Sequence, residues 1–166
     1  TGNIVTQLPT SHAVSIVKEM SRDQQAHFLR TISGDDAEAF LGEIKPQKAK
    51  KIRTLMSYPE NTAGALMITE YLSYGGEMLV KEVLDDLRAQ GEAYSDYDIQ
   101  YAYVVSNEGR LIGVLRLRDL LMAPRGKAIR EVMIKEPLHV NINMSLRDLK
   151  DFFRQYSFLG VPVVTD

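Results

Sequence analysis

The stretch Met67 to Arg88, MITEYLSYGGEMLVKEVLDDLR, decides how the chain is read, because a second version, MIKEPLHVNINMSLRDLKDFFR, begins 66 residues later at Met133. Met67, Ile68, Glu70, Leu72, Met78 and Arg88 recur in register as Met133, Ile134, Glu136, Leu138, Met144 and Arg154, and most other apolar positions stay apolar. Both versions read as a short extended run, a turn and an amphipathic helix. A valine-rich strand follows each, YAYVV at 101–105 and GVPVV at 160–164, and the loop before it is seven residues longer in the first copy. A unit repeated at so long a period implies two small domains rather than a solenoid.

Around this stretch the first copy spans residues 58–126. Thr62 caps a short helix from Ala63 to Met67, and the near absence of side-chain bulk at Ala63, Gly64 and Ala65 lets another backbone come close. Leu72 and Tyr74 open a strand and Gly75-Gly76 turns the chain. A helix from Met78 to Arg88 then buries Leu79, Val83, Leu84 and Leu87 and pairs Lys81 with Asp85 on its wet face. Strand 101–105, the turn Asn107-Glu108-Gly109 and strand 111–115 form a hairpin, followed by a helix from Asp119 to Met122. The second copy, 127–166, gives a short helix Ala128 to Met133, strand Leu138 to Val140, helix Leu146 to Tyr156 and strand Val161 to Val164. By the repeat, a turn, strand and helix are expected after Asp166, so the sequence reads as a piece of a larger protein whose last strand would otherwise expose an apolar edge.

Thr1 to Pro9 has no useful periodicity, and the rest of residues 1–57 carries helical spacing. A first helix begins near Thr10 or Ser11 and carries Ala13, Ile16, Val17 and Met20; Ser21 with Gln24 forms the capping box of the second, which carries Ala26, Phe28, Leu29 and Ile32 and stops at Ser33-Gly34. A third begins at Asp35-Asp36, and a fourth opens on Pro46 and ends at Tyr58-Pro59. Helices this short, joined by one to three residues, must bury a stripe against one another. The fold class that results is α+β, a superhelical stack of short helices followed by two βαββα-like units, the second incomplete.

With 45% apolar and 25% charged residues the composition is that of a globular protein. No apolar run approaches the roughly 18 residues of a membrane span. The absence of cysteine excludes disulfides and thiolate metal sites. The net charge of −2 conceals an acidic middle: residues 58–126 hold six Lys/Arg against eleven Asp/Glu. That argues against nucleic acid, which demands a concentrated basic face, and favours cations.

Asp23 and His27, one helical turn apart, can offer an oxygen and a nitrogen to one cation, or can be a first-turn acid and a surface imidazole. Asp96 and Asp98 have the opening spacing of a calcium loop without its glycine and closing glutamate. Arg116 and Arg118 either hold a phosphate or are alternate charges at a surface edge. No nucleophile with a base, metal-ligand cluster or glycine-rich phosphate loop is present, so an enzyme is not expected.

EYLSY, YAYVVSNEGRLIGVLRLRDLL and FLGVPVVTD together resemble a pair of CBS domains, and the join YPENTAGALMITEY at 58–71, preceded by short helices, resembles the cytosolic region of MgtE-type magnesium transporters. The resemblance implies a homodimer at the cytoplasmic face of the membrane, ahead of its own transmembrane pore, whose helical and CBS domains close on magnesium. It places the sensing acids of the helical domain at Asp23 and His27, the latter an imidazole where the family has aspartate. It also implies an adenine nucleotide such as ATP between the CBS copies, with Leu72 and Tyr103 near the base and Asp119 on the ribose. In the motif Gly113-Val114-Leu115-Arg116-Leu117-Arg118-Asp119 the family's Ser or Thr is replaced by Arg116. The competing reading is a soluble CBS-pair protein that senses adenine nucleotides.

Overall fold

Three short helices are positioned by their caps, as the sequence implies. The computed structural model describes residues 17, 19–94, 97 and 100–165, so the expected first helix lies largely outside the described residues. Helix α1 (Arg22–Leu29) starts at Ser21, whose N–H donates to the Gln24 side chain at 3.3 Å. Ser33, read as a stop, also starts α2 (Gly34–Gly42): its Oγ accepts from the Asp36 N–H at 3.2 Å. Pro46 opens α3 (Pro46–Ser57), where its missing N–H has no helical partner to lose. The three bury Ala26, Leu29, Ala37, Phe40, Leu41, Ala49, Ile52 and Leu55 in one core. Gln25 is fully buried there, donating through Nε2 to the carbonyls of Val17 at 2.6 Å and Met20 at 2.9 Å. Arg30 closes the end of α3 by donating to the carbonyls of Leu55 and Tyr58.

By chain contacts the molecule divides into two units, Glu70–His139 and the remainder, Thr1–Thr69 with Val140–Asp166. The Glu70–His139 unit is a four-stranded sheet ordered β1 (Leu72–Gly75), β2 (Tyr101–Val105), β3 (Leu111–Arg116), β4 (Ile134–Lys135). The first pair is parallel and the others antiparallel. Leu72, Tyr74, Ala102, Val104 and Leu115 share a core with Val80 and Val83 of helix α5 (Val80–Ala89) and Leu120 of helix α6 (Leu117–Met122). Helix α5 starts later than the apolar pattern suggests, so Leu79 is its cap at 37% exposure and Val80 takes the buried place. Asp85 meets Arg125 at 3.3 Å and Arg88 at 3.6 Å instead of Lys81.

In the other unit the second copy supplies β5 (Val140–Asn141) and β6 (Val163–Val164), paired in parallel, and helix α7 (Leu146–Tyr156) with the bounds its periodicity gives. Val140 opposite Val163 repeats Tyr74 opposite Val104, the shorter loop of the second copy being absorbed between them. Pro162 contributes only its carbonyl, which accepts from Val140 N–H at 2.9 Å, as an imino acid must.

The segment leading into each copy is exchanged. Ala63 and Gly64, in α4 (Ala63–Leu66), donate their N–H groups to Met144 and Ile142, and Leu146 donates to Asn61. In the other unit Ile129 and Arg130 donate to Met78 and Gly76, and Val80 donates to Lys127. Every residue of the second set stands 66 positions from its counterpart in the first, upstream or downstream. The bridges Thr62 to Ser145 and Leu79 to Ala128 repeat the same relation. The leader of each copy therefore pairs with the turn of the other, and the glycine at 64 permits it. A Cβ there would lie 2.8 Å from Ile142 and 2.9 Å from the Tyr58 ring.

Candidate functional site

Strand alternation divides the sequence-derived candidates. Leu72, Ala102 and Leu115 are cross-strand neighbours on the helix-covered face, and Leu72 is only 3% exposed. Tyr103 stands opposite Val114, and Tyr101 opposite Arg116, on the other face of the sheet. Leu72 thus lies behind the sheet from Tyr103, and the structure does not bring the two together.

On the open face the Tyr71 ring meets the edge of Tyr103 with centroids 5.5 Å apart and planes at 70°. Burial, reinforced by Tyr71 and Tyr101 beside it, pushes the Tyr103 phenol up, so it remains a neutral O–H donor. Arg116 is both the last residue of β3 and the cap of α6, which puts Asp119 one helical turn on, within its reach. Arg116 Nε donates to Asp119 Oδ2 at 2.6 Å, with side-chain exposures of 53% and 26%. This bond, then the charge of Asp119, raises the guanidinium above its ordinary value, and Tyr101 adds to the effect. The arrangement offers aromatic faces for a flat ring, one cation and one carboxylate. Tyr71 and Tyr101 were not singled out from the sequence, although the alternation in YAYVV already puts 101 and 103 on one side.

Asp23 and His27 occupy the first and last turns of α1. Asp23 is half-buried and accepts from Ser21 Oγ at 2.5 Å, so it already serves the helix start, while His27 is exposed. Among the described residues no group of three or more His, Asp or Glu gathers in a way that would hold a metal. One carboxylate and one nitrogen do not make a magnesium site, because that ion prefers oxygen in near-octahedral number. Asp86 of α5 is engaged in structure, accepting from the hydroxyls of Tyr74 at 2.8 Å and Tyr94 at 3.0 Å. Asp96 and Asp98 lie outside the described residues. Among those residues no helix is long and apolar enough to cross a membrane.

Two copies of a strand, helix and strand, each fed by a leader from the other's side, define a tandem CBS protein, and the CBS domain model matches residues 63–126 and 129–166. The chain belongs to that family in its MgtE-type form, the MgtE intracellular N domain model matching residues 1–61 ahead of the pair. Both are non-catalytic regulatory modules. The magnesium transporter MgtE of Enterococcus faecalis is 32% identical over 117 residues, which cover 70% of this chain and 25% of that protein. The chain thus spans about a quarter of that relative's length. A crystal structure of the soluble part of a magnesium transporter superposes with a TM-score of 0.84 at 27% identity, over 99% of this chain and 63% of that one. The cytosolic domain of the Mg2+ channel MgtE in complex with ATP gives 0.83 at 27% identity, over 99% and 72%.

Proposed function

We propose that this chain is the magnesium-sensing regulatory region of a magnesium transporter, gating a membrane pore through divalent-ion-dependent closure of its helical and CBS domains. The observation that carries the reading is the succession of an MgtE N domain and a CBS pair over the chain, sharing its fold across 99% of its length with the soluble part of a magnesium transporter. The reading includes a homodimer at the cytoplasmic face of a membrane, joined to its own transmembrane domain. In chain terms the helical domain is residues 1–57, the first CBS domain 58–126 and the second 127–166.

The acidic middle of the sequence supplies the physics. Residues 58–126 carry a net charge near −5. Acidic surfaces repel until a divalent ion bridges them, and the ion then favours the compact state. Asp23 and His27 do not complete a magnesium site by themselves, so sensing on this reading draws on further acids.

Small-angle scattering with light scattering tests it. The dimer is expected in at least one condition, with a smaller radius of gyration in millimolar magnesium than in sodium chloride of matched ionic strength, which screens but does not bridge. Asp23→Ala should raise the magnesium midpoint and His27→Asp should lower it. Identical curves in the two salts remove the sensing claim, and unchanged midpoints in both variants remove the two residues from the site.

A nucleotide reading stands beside this one, favoured by the ATP complex of the related cytosolic domain and by the aromatic face that carries Arg116 and Asp119. An adenine nucleotide on that face would set its ring against the tyrosines and its ribose on Asp119. A soluble nucleotide sensor and a transporter differ in whether long apolar spans follow Asp166 in the gene.

A further inference from the structure

Residues 58–67 are fastened on two sides. We propose that this leader is a coupling strap, tied to the helical core by Arg30 and Met67, through which the helical domain sets the stability of the turn 141–146 in the second copy. The link does not depend on which ion or ligand the helical domain answers to.

The helices hold one side of the strap. Arg30, half-buried at the C-cap of α1, donates through Nη2 to the carbonyl of Leu55 and, at 3.1 Å, to that of Tyr58 at the end of α3. The last carbonyls of a helix have no partner within it, and a cation there also meets the favourable pole of the helix dipole. Helix α4 lies against α1 and α3, and Met67 directly after it packs against the core that holds Ala26, Leu29 and Leu55. The second copy holds the other side, through the bonds of Ala63, Gly64 and Asn61 to Met144, Ile142 and Leu146. Tyr58 joins the two: Arg30 holds its carbonyl, while its ring and Ile142 both close on Gly64.

This fastening is particular to the first leader. Met133, which stands 66 positions after Met67, packs instead against the sheet of the Glu70–His139 unit, where a Cβ on Gly113 would collide with its sulfur. The same position closes a CBS sheet in one leader and meets the helical core in the other. With the helical fastening cut, the order of the strap rests on its bonds to the second copy alone, and those bonds open more often.

Hydrogen exchange followed by mass spectrometry, on the wild-type chain, Arg30→Met, Arg30→Lys and Met67→Ala, tests the proposal. A hydrogen bond from a charged donor is worth about tenfold or more in an opening equilibrium. Arg30→Met should therefore speed exchange about tenfold in the peptides that hold Ala63, Gly64 and Leu146. Met67→Ala should act on the same peptides, and Arg30→Lys, which keeps a charged donor, should recover most of the protection. Peptides that hold Val80, Ile129 and Arg130, whose bonds repeat these in the Glu70–His139 unit, should be unchanged in every variant. Arg53→Met is the control within the helical domain: it removes an exposed pair with Glu38 at 2.7 Å and should leave all these peptides as in wild type. Acceleration confined to residues 22–58 overturns the strap, because the helices then loosen without the second copy following. Equal acceleration of every peptide overturns it as well, because the cause is then global unfolding.

Discussion

Gly64→Ala adds one carbon at the point where the leader of the first copy meets the turn of the second. The added Cβ would lie 2.8 Å from Ile142 Cγ1 on one side and 2.9 Å from Tyr58 Cγ on another. Comfortable carbon contacts lie at about 3.5–4.0 Å, so both neighbours must give way by more than half an ångström. Ile142 cannot retreat freely, because its carbonyl accepts from the Gly64 N–H at 2.9 Å and the adjacent Ala63 N–H is bonded to Met144 at 2.9 Å. Overpacking costs about 1–3 kcal/mol. Alanine recovers up to about 1 kcal/mol through helix propensity, less in a helix of four residues such as this one. A net loss of about 1–2 kcal/mol follows. Urea unfolding followed by far-ultraviolet circular dichroism should register it as a lowered midpoint with unchanged slope. Gly42→Ala, at the end of α2 with nothing within 4 Å of the added carbon, should be neutral or stabilising in the same assay. Ile142→Ala relieves one side of the clash, so the double variant with Gly64→Ala should lose less than the sum of the two singles. A Gly64→Ala chain as stable as wild type would refute the close approach, and with it the exchange of leaders.

Gln25→Leu should destabilise the helical core by about 1–3 kcal/mol, because the carbonyls of Val17 and Met20 lose the Gln25 amide and Val17 keeps only the Met20 N–H; thermal melts decide, and an unchanged melting temperature would show that these carbonyls find water. Tyr74 gives a pH dependence: burial, then its bond to the Asp86 carboxylate, push its phenol up in the folded state. An unfolded chain ionises it near its ordinary value of about 10, so the stability it supports is intact below that pH and falls as the pH rises above it. Tyr74→Phe should flatten this alkaline loss in pH-dependent unfolding, at the cost of one hydrogen bond at neutral pH, and an unaltered alkaline limb would exclude the assignment.

What was legible in the sequence is what short-range chemistry fixes. The 66-residue repeat, the Ser21 and Gln24 cap, Pro46 at the start of α3, the bounds of α7 and the meaning of the small residues at 63–65 each depend on neighbours a few positions away, or on a pattern in side-chain size. The same rules misplaced the start of α5 by two residues, because periodicity alone does not say that Leu79 caps while Val80 packs. Three matters were left to the tertiary structure. Leu72 and Tyr103 are both apolar strand residues in the sequence, and only the register of β1 on β2 puts them on opposite faces. Gln25 reads as a surface residue of an amphipathic helix until the preceding turn brings two carbonyls to its amide. The exchange of leaders joins residues about 80 positions apart in one unit and about 50 in the other, by backbone hydrogen bonds that every residue except proline can donate. The small residues at 63–65 record that a backbone comes close but not which one, and that is settled only when the whole chain has packed.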